Sequence, residues 1–232
     1  LAFGVVAHPA TPRKNKLKSC KPVRRQAGCK AKDRDDNMFI RMQYAITKAE
    51  INEKPLLEYT GPYSLINTDE DLQRVVPELK KEILLGFDTE TRPAFRKGES
   101  YLPSLLQLGG EDHVWMFQLQ KLSDLTPLFG VLADAGIRKA GVAIQRDVQE
   151  LRDLHEFTPD GFDDIGVLAE NLGFRNTGLR PLSALLLGGR ISKGAQVSNW
   201  AADTLTSKQQ RYAATDAWVS REIYLALKER QR

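Results

Sequence analysis

Ile83-Leu84-Leu85-Gly86-Phe87-Asp88-Thr89-Glu90-Thr91 places an apolar run directly in front of two acids two positions apart. A short run of this kind reads as a buried strand. Side chains at i and i+2 leave a strand on the same face, so Asp88 and Glu90 project together from its end. With 30 acids in 232 residues, an acidic pair at this spacing arises by chance about four times. The context therefore carries the signal, and a solvated strand end is an equal reading of this segment alone.

Downstream, the apolar runs alternate between strand-like and helix-like patterns. Strands are expected at 83–88, 104–110, 113–119, 139–143 and 162–165, and helices at 69–81, 122–134, 147–155, 165–172, 181–187 and 206–229. The close spacing of the second and third strands suggests a hairpin on the first, followed by strands separated by helices. That order predicts an α/β fold with a mixed five-stranded sheet flanked by helices. No internal repeat is visible.

Two further segments carry acids. Asp147 follows the apolar stretch 140–144 and opens the amphipathic run Val148, Leu151, Leu154; an acid in a first helical turn is also favoured by the helix dipole with no chemical role. Tyr212 and Asp216 follow Thr206-Ser207-Lys208-Gln209, which fits a capping box. They are then i,i+4 neighbours on one helix face, with Ala213, Ala214 and Ala217 permitting close packing. Given six Tyr and 16 Asp, that spacing arises about 0.4 times by chance. A surface hydrogen bond is its bland reading. Brought together from a strand and two helices, these residues form an acidic pocket able to bind two divalent cations, the equipment phosphodiester cleavage uses.

Taken together, the segments resemble the DEDD superfamily of 3′-5′ exonucleases, in the tyrosine-bearing branch that includes ribonuclease D and the Werner-type exonuclease domains. Phe87 to Thr91 matches the first motif, Gly141 to Asp147 the second and Tyr212 to Ala217 the third. Pro103 to Leu108, Ile191 to Lys193 and Ser198 to Trp200 are also similar to the Werner-type subgroup. The histidine branch needs His five residues before the last acid, where this chain has Arg211. The likeness covers about residues 60 to 230, with every motif in order.

The resemblance implies a ribonuclease H-like fold and a 3′-5′ exonuclease releasing nucleoside 5′-monophosphates with two Mg2+ or Mn2+ ions. Asp88, Glu90 and Asp216 are expected to hold one ion, Asp88 and Asp147 the second, and Tyr212 to orient the attacking water, since a phenol is a poor base at neutral pH. Its partner is single-stranded or 3′-ended nucleic acid, DNA or RNA. Arg92, Arg146, Lys193 and Trp200 are candidate nucleic-acid contacts, each with an exposed charge or a core tryptophan as the bland alternative. A non-catalytic nucleic-acid-binding module, or a structural partner-binding protein on the same fold, is the competing class. Loss of one acid would have favoured either, and all four are present. Only about 16 residues follow Asp216, so a stand-alone domain is expected.

The amino end differs in composition. Residues 1–37 hold ten Lys or Arg against three Asp, leaving a net −3 on the remaining 195 residues of a chain whose total is +4. The high pI is thus a property of this segment, and basicity does not show a nucleic-acid surface on the rest. Few apolar residues after Val6 and three prolines predict a disordered tail. It reads as a tethering arm, as a transit segment free of acids to residue 32, or as an artefact of a start upstream of Met38 or Met42. Residues 38–59 are a lead-in and 60–232 the exonuclease domain. Cys20 and Cys29 both fall in the tail with too few neighbouring ligands for zinc. A cysteine-free folded region fits an intracellular, cytoplasmic setting, or an organelle if the tail is a transit peptide. His113 and His155 are expected in structural or solvent-facing roles. No apolar run is long enough to span a membrane.

Overall fold

The computed structural model describes residues 44–94, 96 and 98–232. The basic segment 1–37, with both cysteines, and residues 38–43 of the expected lead-in lie outside the described residues.

The elements in chain order are α1 (Lys48–Glu53), β1 (Tyr63–Ile66), α2 (Asp69–Leu79), β2 (Leu84–Glu90), β3 (Leu105–Gly109) and β4 (Val114–Gln118). After a 3-10 turn at Leu119–Lys121 come α3 (Thr126–Leu132), β5 (Arg138–Gly141), α4 (Gln145–Leu154), β6 (Phe162–Asp164), α5 (Ile165–Asn171), α6 (Leu179–Leu182), a π-turn (Ser183–Leu187) and α7 (Ser207–Arg230). The six strands form one sheet in the order β1-β4-β3-β2-β5-β6. β2, β3 and β4 form an antiparallel meander, while β1, β5 and β6 join as parallel strands. This is the expected mixed sheet with one strand more than the five read from sequence. The extra strand, β1, has four residues at the sheet edge, three of them half-exposed, so its apolar signal is diluted.

Alternation along β2 builds both faces of the sheet. Leu85 and Phe87 enter the core packed under α2 and α3, with Leu72, Leu79, Leu106 and Phe129. Leu84 and Gly86 face α7, where Ala213, Ala214 and Ala217 pack with Leu105 and Met116. Asp88 and Glu90 continue that second face. The capping box read at Thr206 is present, with Thr206 and Gln209 satisfying each other's backbone N–H, and α7 starts where it fixes. The expected helix over 122–134 is shorter, because Pro127 sits in its first turn and Asp124 ties the preceding chain to Thr126. Instead of one helix over 181–187, α6 gives way to the π-turn and ends at Gly188 with φ 73.

From Tyr44 the lead-in is packed on the domain. Tyr44 stacks on Phe174 at 4.6 Å, Tyr59 is buried with its backbone N–H bonded to the Thr215 hydroxyl, and Leu56 bridges Arg190. Among the described residues no helix is long and apolar enough to cross a membrane.

Candidate active site

β2 lies in the middle of the sheet, paired with β5 from Leu84 to Gly86 and with β3 from Gly86 to Glu90, so the strand is anchored on both sides as it delivers Asp88 and Glu90, which pair with β3. The chain leaves β5 through a turn containing Ala143, a non-glycine residue at φ 57, and its N–H is held by the Asp164 carboxylate. That turn starts α4 with Asp147 in the first turn. α7 crosses the opposite face of the sheet and brings Tyr212 and Asp216 to the end of β2.

These elements bring the five residues together. Carboxylate oxygens of Asp88, Glu90 and Asp216 lie within 4.8 Å of one another. Asp147 stands beside them, accepting a hydrogen bond from the hydroxyl of Thr89, between the two β2 acids. Asp88, Glu90, Tyr212 and Asp216 line a cleft of about 400 Å³, whose other walls include Val142, Arg180, Ser192, Lys193 and Gln196.

The electrostatics of this cluster are unbalanced. None of the ion pairs among the described residues involves any of the four acids. Burial, followed by the charges of Asp216 and Asp147, raises Asp88 well above the usual carboxylate range. Glu90 rises through burial and then through Asp88, Asp216 and Asp147. Burial pushes Asp216 up to about 7, opposed by the Tyr212 hydroxyl, and also raises Asp147, against the Thr89 hydrogen bond. Asp216 is 4% exposed, and its Oδ1 is buried with no hydrogen-bond partner among the described residues. Like charges this close are stable only with protons or with a cation among them. Four convergent carboxylates are also the hard oxygen set that a hard divalent cation prefers, and the orphaned Asp216 oxygen is a free ligand atom for one.

Tyr212 is raised above its ordinary value by burial and by the neighbouring acids, so it keeps its proton at neutral pH and offers an O–H donor.

The nucleic-acid candidates separate. Lys193 is exposed on the cleft wall. Arg92 is exposed just beyond β2, with its guanidinium 4.0 Å above the Tyr101 ring. Arg146 is paired with Glu150 at 2.6 Å on α4. Trp200 is a correction: it is 1% exposed and packed in the core 6.0 Å from Tyr212, so its ring face is closed to a base. Its apolar bulk fills the layer under α7 instead. His155 packs on Phe129 and His113 meets the Ser64 hydroxyl.

Sequence reasoning missed Thr89, Arg180 and Ser192. Thr89 was legible in principle as the hydroxyl between two acids. Arg180 reaches the cleft from α6, donating to the Ile191 carbonyl, a placement with no local sequence signal.

Comparison with known proteins agrees with this geometry. A sequence model of the 3′-5′ exonuclease family matches residues 63–231. Ribonuclease D of Gluconacetobacter diazotrophicus is 35% identical over 170 residues, covering 72% of this chain and 42% of that protein; ribonuclease D of Acidiphilium cryptum is 32% identical over 181 residues, covering 76% and 45%. The chain thus spans less than half the length of these relatives. The crystal structure of Escherichia coli RNase D superposes with a TM-score of 0.63 at 24% identity, over 72% of this chain and 45% of that one, which supports the fold. With the motif acids converging at the end of β2 and the family match running from β1 to the end of α7, the chain belongs to the 3′-5′ exonuclease family.

Proposed function

We infer that this chain hydrolyses the terminal phosphodiester bond at the 3′ end of a nucleic acid strand, releasing nucleoside 5′-monophosphates with two divalent cations, Mg2+ or Mn2+. The observation that carries the reading is the convergence of Asp88, Glu90 and Asp216 oxygens within 4.8 Å in an open cleft, with no side-chain cation among the described residues paired to them.

Asp88, Glu90 and Asp216 would hold one ion, and Asp88 with Asp147 would hold the second. Bound there, such ions would supply a nucleophilic water at neutral pH and a charge sink for the leaving oxygen. Tyr212, protonated at neutral pH, orients the attacking water by hydrogen bonding and does not remove its proton. Thr89 holds Asp147 through the hydrogen bond to its carboxylate. Lys193 on the cleft wall meets backbone phosphate, a contact that carries no sequence information and suits an enzyme that must accept any terminal base. RNA is the first substrate class to test, because the relatives named above are ribonucleases D.

The test is digestion of matched 3′-labelled and 5′-labelled single-stranded RNA and DNA with Mg2+ or Mn2+, beside a metal-free control and Asp88→Asn. Stepwise shortening from the 3′ end that needs metal and Asp88 is expected. Binding without cleavage under either metal would replace this reading with a non-catalytic nucleic-acid-binding module.

A further inference from the structure

Gln107, at the centre of β3, has 0% of its surface exposed, and among the described residues neither its side-chain nitrogen nor its oxygen has a hydrogen-bond partner. An amide buried in this way weakens a fold compared with an apolar residue of equal volume. Packing gives no reason for it: its neighbours along β3 are leucines, and across the β4 side it faces Met116, in an apolar layer with Leu105, Ala213 and Ala217. On the β2 side the register puts it directly opposite Asp88. Directly opposed residues of an antiparallel pair share a face, with Cβ atoms about 5 Å apart. Of the two residues directly opposite this amide, Met116 and Asp88, the polar one is therefore an acid of the cluster.

Carboxylates that hold a metal are themselves held by hydrogen bonds from groups behind them, which fix the lone pair turned to the ion. We propose that Gln107 is a positioning residue for the metal site: its Nε2 donates through one buried water to the Asp88 carboxylate and sets that carboxylate's orientation. Gln107 touches neither ion nor substrate. The proposal rests on the metal-binding reading of Asp88 given above.

The test compares wild type, Gln107→Met and Asp88→Asn by calorimetric Mn2+ titration and by urea unfolding without metal. Methionine keeps the volume and removes the amide. Gln107→Met is expected to match or exceed the wild type in metal-free stability while binding Mn2+ about 10- to 100-fold more weakly; a merely structural glutamine would move stability and leave Mn2+ affinity alone. Wild-type affinity in the folded variant overturns the role of Gln107 and leaves the metal reading intact. A wild type that binds no Mn2+, or binds it equally after Asp88→Asn, overturns both. If Gln107→Met does not fold, the side-chain amide protons of Gln107 in the wild type decide: a downfield shift with slowed exchange on adding Mg2+ supports the proposal, and unchanged resonances overturn it.

Discussion

The carbonyl oxygen of Ala217 lies 1.9 Å from where a Cβ on Gly86 would be. α7 therefore rests on β2 at a point that only glycine allows. Gly86 is two residues before Asp88 and Ala217 one residue after Asp216, so this contact fixes the distance between acids 128 positions apart in sequence. Gly109 on β3 widens the same seat, its Cβ position lying 2.9 Å from the Ala217 carbonyl carbon.

Gly86→Ala forces the helix off the strand. The obstacle is backbone, which cannot swing aside, so the expected destabilisation is at or above the upper end of overpacking costs, about 3 kcal/mol. Exonuclease activity of the folded fraction should fall with it, because Asp216 moves relative to Asp88. Urea unfolding alongside a nuclease assay checks both, and an unchanged unfolding midpoint would show that the seat is not as tight as the geometry requires.

Metal-free stability should fall as pH rises. Asp88, Glu90, Asp147 and Asp216 all have raised values in the folded protein, so from the ordinary carboxylate range near about 4, past the Asp216 value of about 7 and up to the Glu90 value of about 10, the folded chain holds more protons than the unfolded one. Stability with that sign is largest at the acid end of the window and is lost through it as the protons leave. Thermal unfolding in chelator across this range should show the decline, Mg2+ should flatten it, and Asp88→Asn should reduce its slope.

Tyr212→Phe removes an orienting hydroxyl but no metal ligand. An activity loss of about 10- to 100-fold is expected, the scale of a misoriented nucleophile, with Mn2+ affinity unchanged by calorimetry. The wild-type pH–rate profile should show no phenol titration near neutrality, because burial and the neighbouring acids keep the hydroxyl protonated. A loss of metal binding in this variant would instead assign Tyr212 to the ligand set.

Lys193 and Trp200 should respond in opposite ways. Lys193→Ala should raise KM for the nucleic acid, leave kcat and stability nearly unchanged, and reduce the salt dependence of binding by about one counterion. Trp200→Ala should cost about 3–5 kcal/mol of stability, whereas Trp200→Phe should keep most of the activity per folded molecule. Weaker substrate binding at wild-type stability in Trp200→Phe would return Trp200 to the list of substrate contacts.

Legibility in the sequence followed the local character of each signal. The capping box at Thr206, the i,i+4 pair Tyr212 and Asp216 and the two acids at the end of β2 are set by neighbours within a turn or a strand, and these were placed correctly. β1 was missed because an edge strand buries little and so needs little apolar pattern. Thr89, Arg180 and Gln107 were passed over because what distinguishes them is a partner, or the lack of one, contributed by another element.

By itself the sequence determined which residues carry charge, which faces of β2 and α7 are apolar, and in what order the acids appear, because those properties are written in side-chain chemistry and in the periods of strand and helix. Only the tertiary structure decided that three of those acids meet within 4.8 Å, that Trp200 is core and Lys193 cleft, and that an unpaired amide stands behind Asp88. Distances between segments follow from how closely a helix backbone can approach a sheet, and at Gly86 that approach depends on a side chain that is absent.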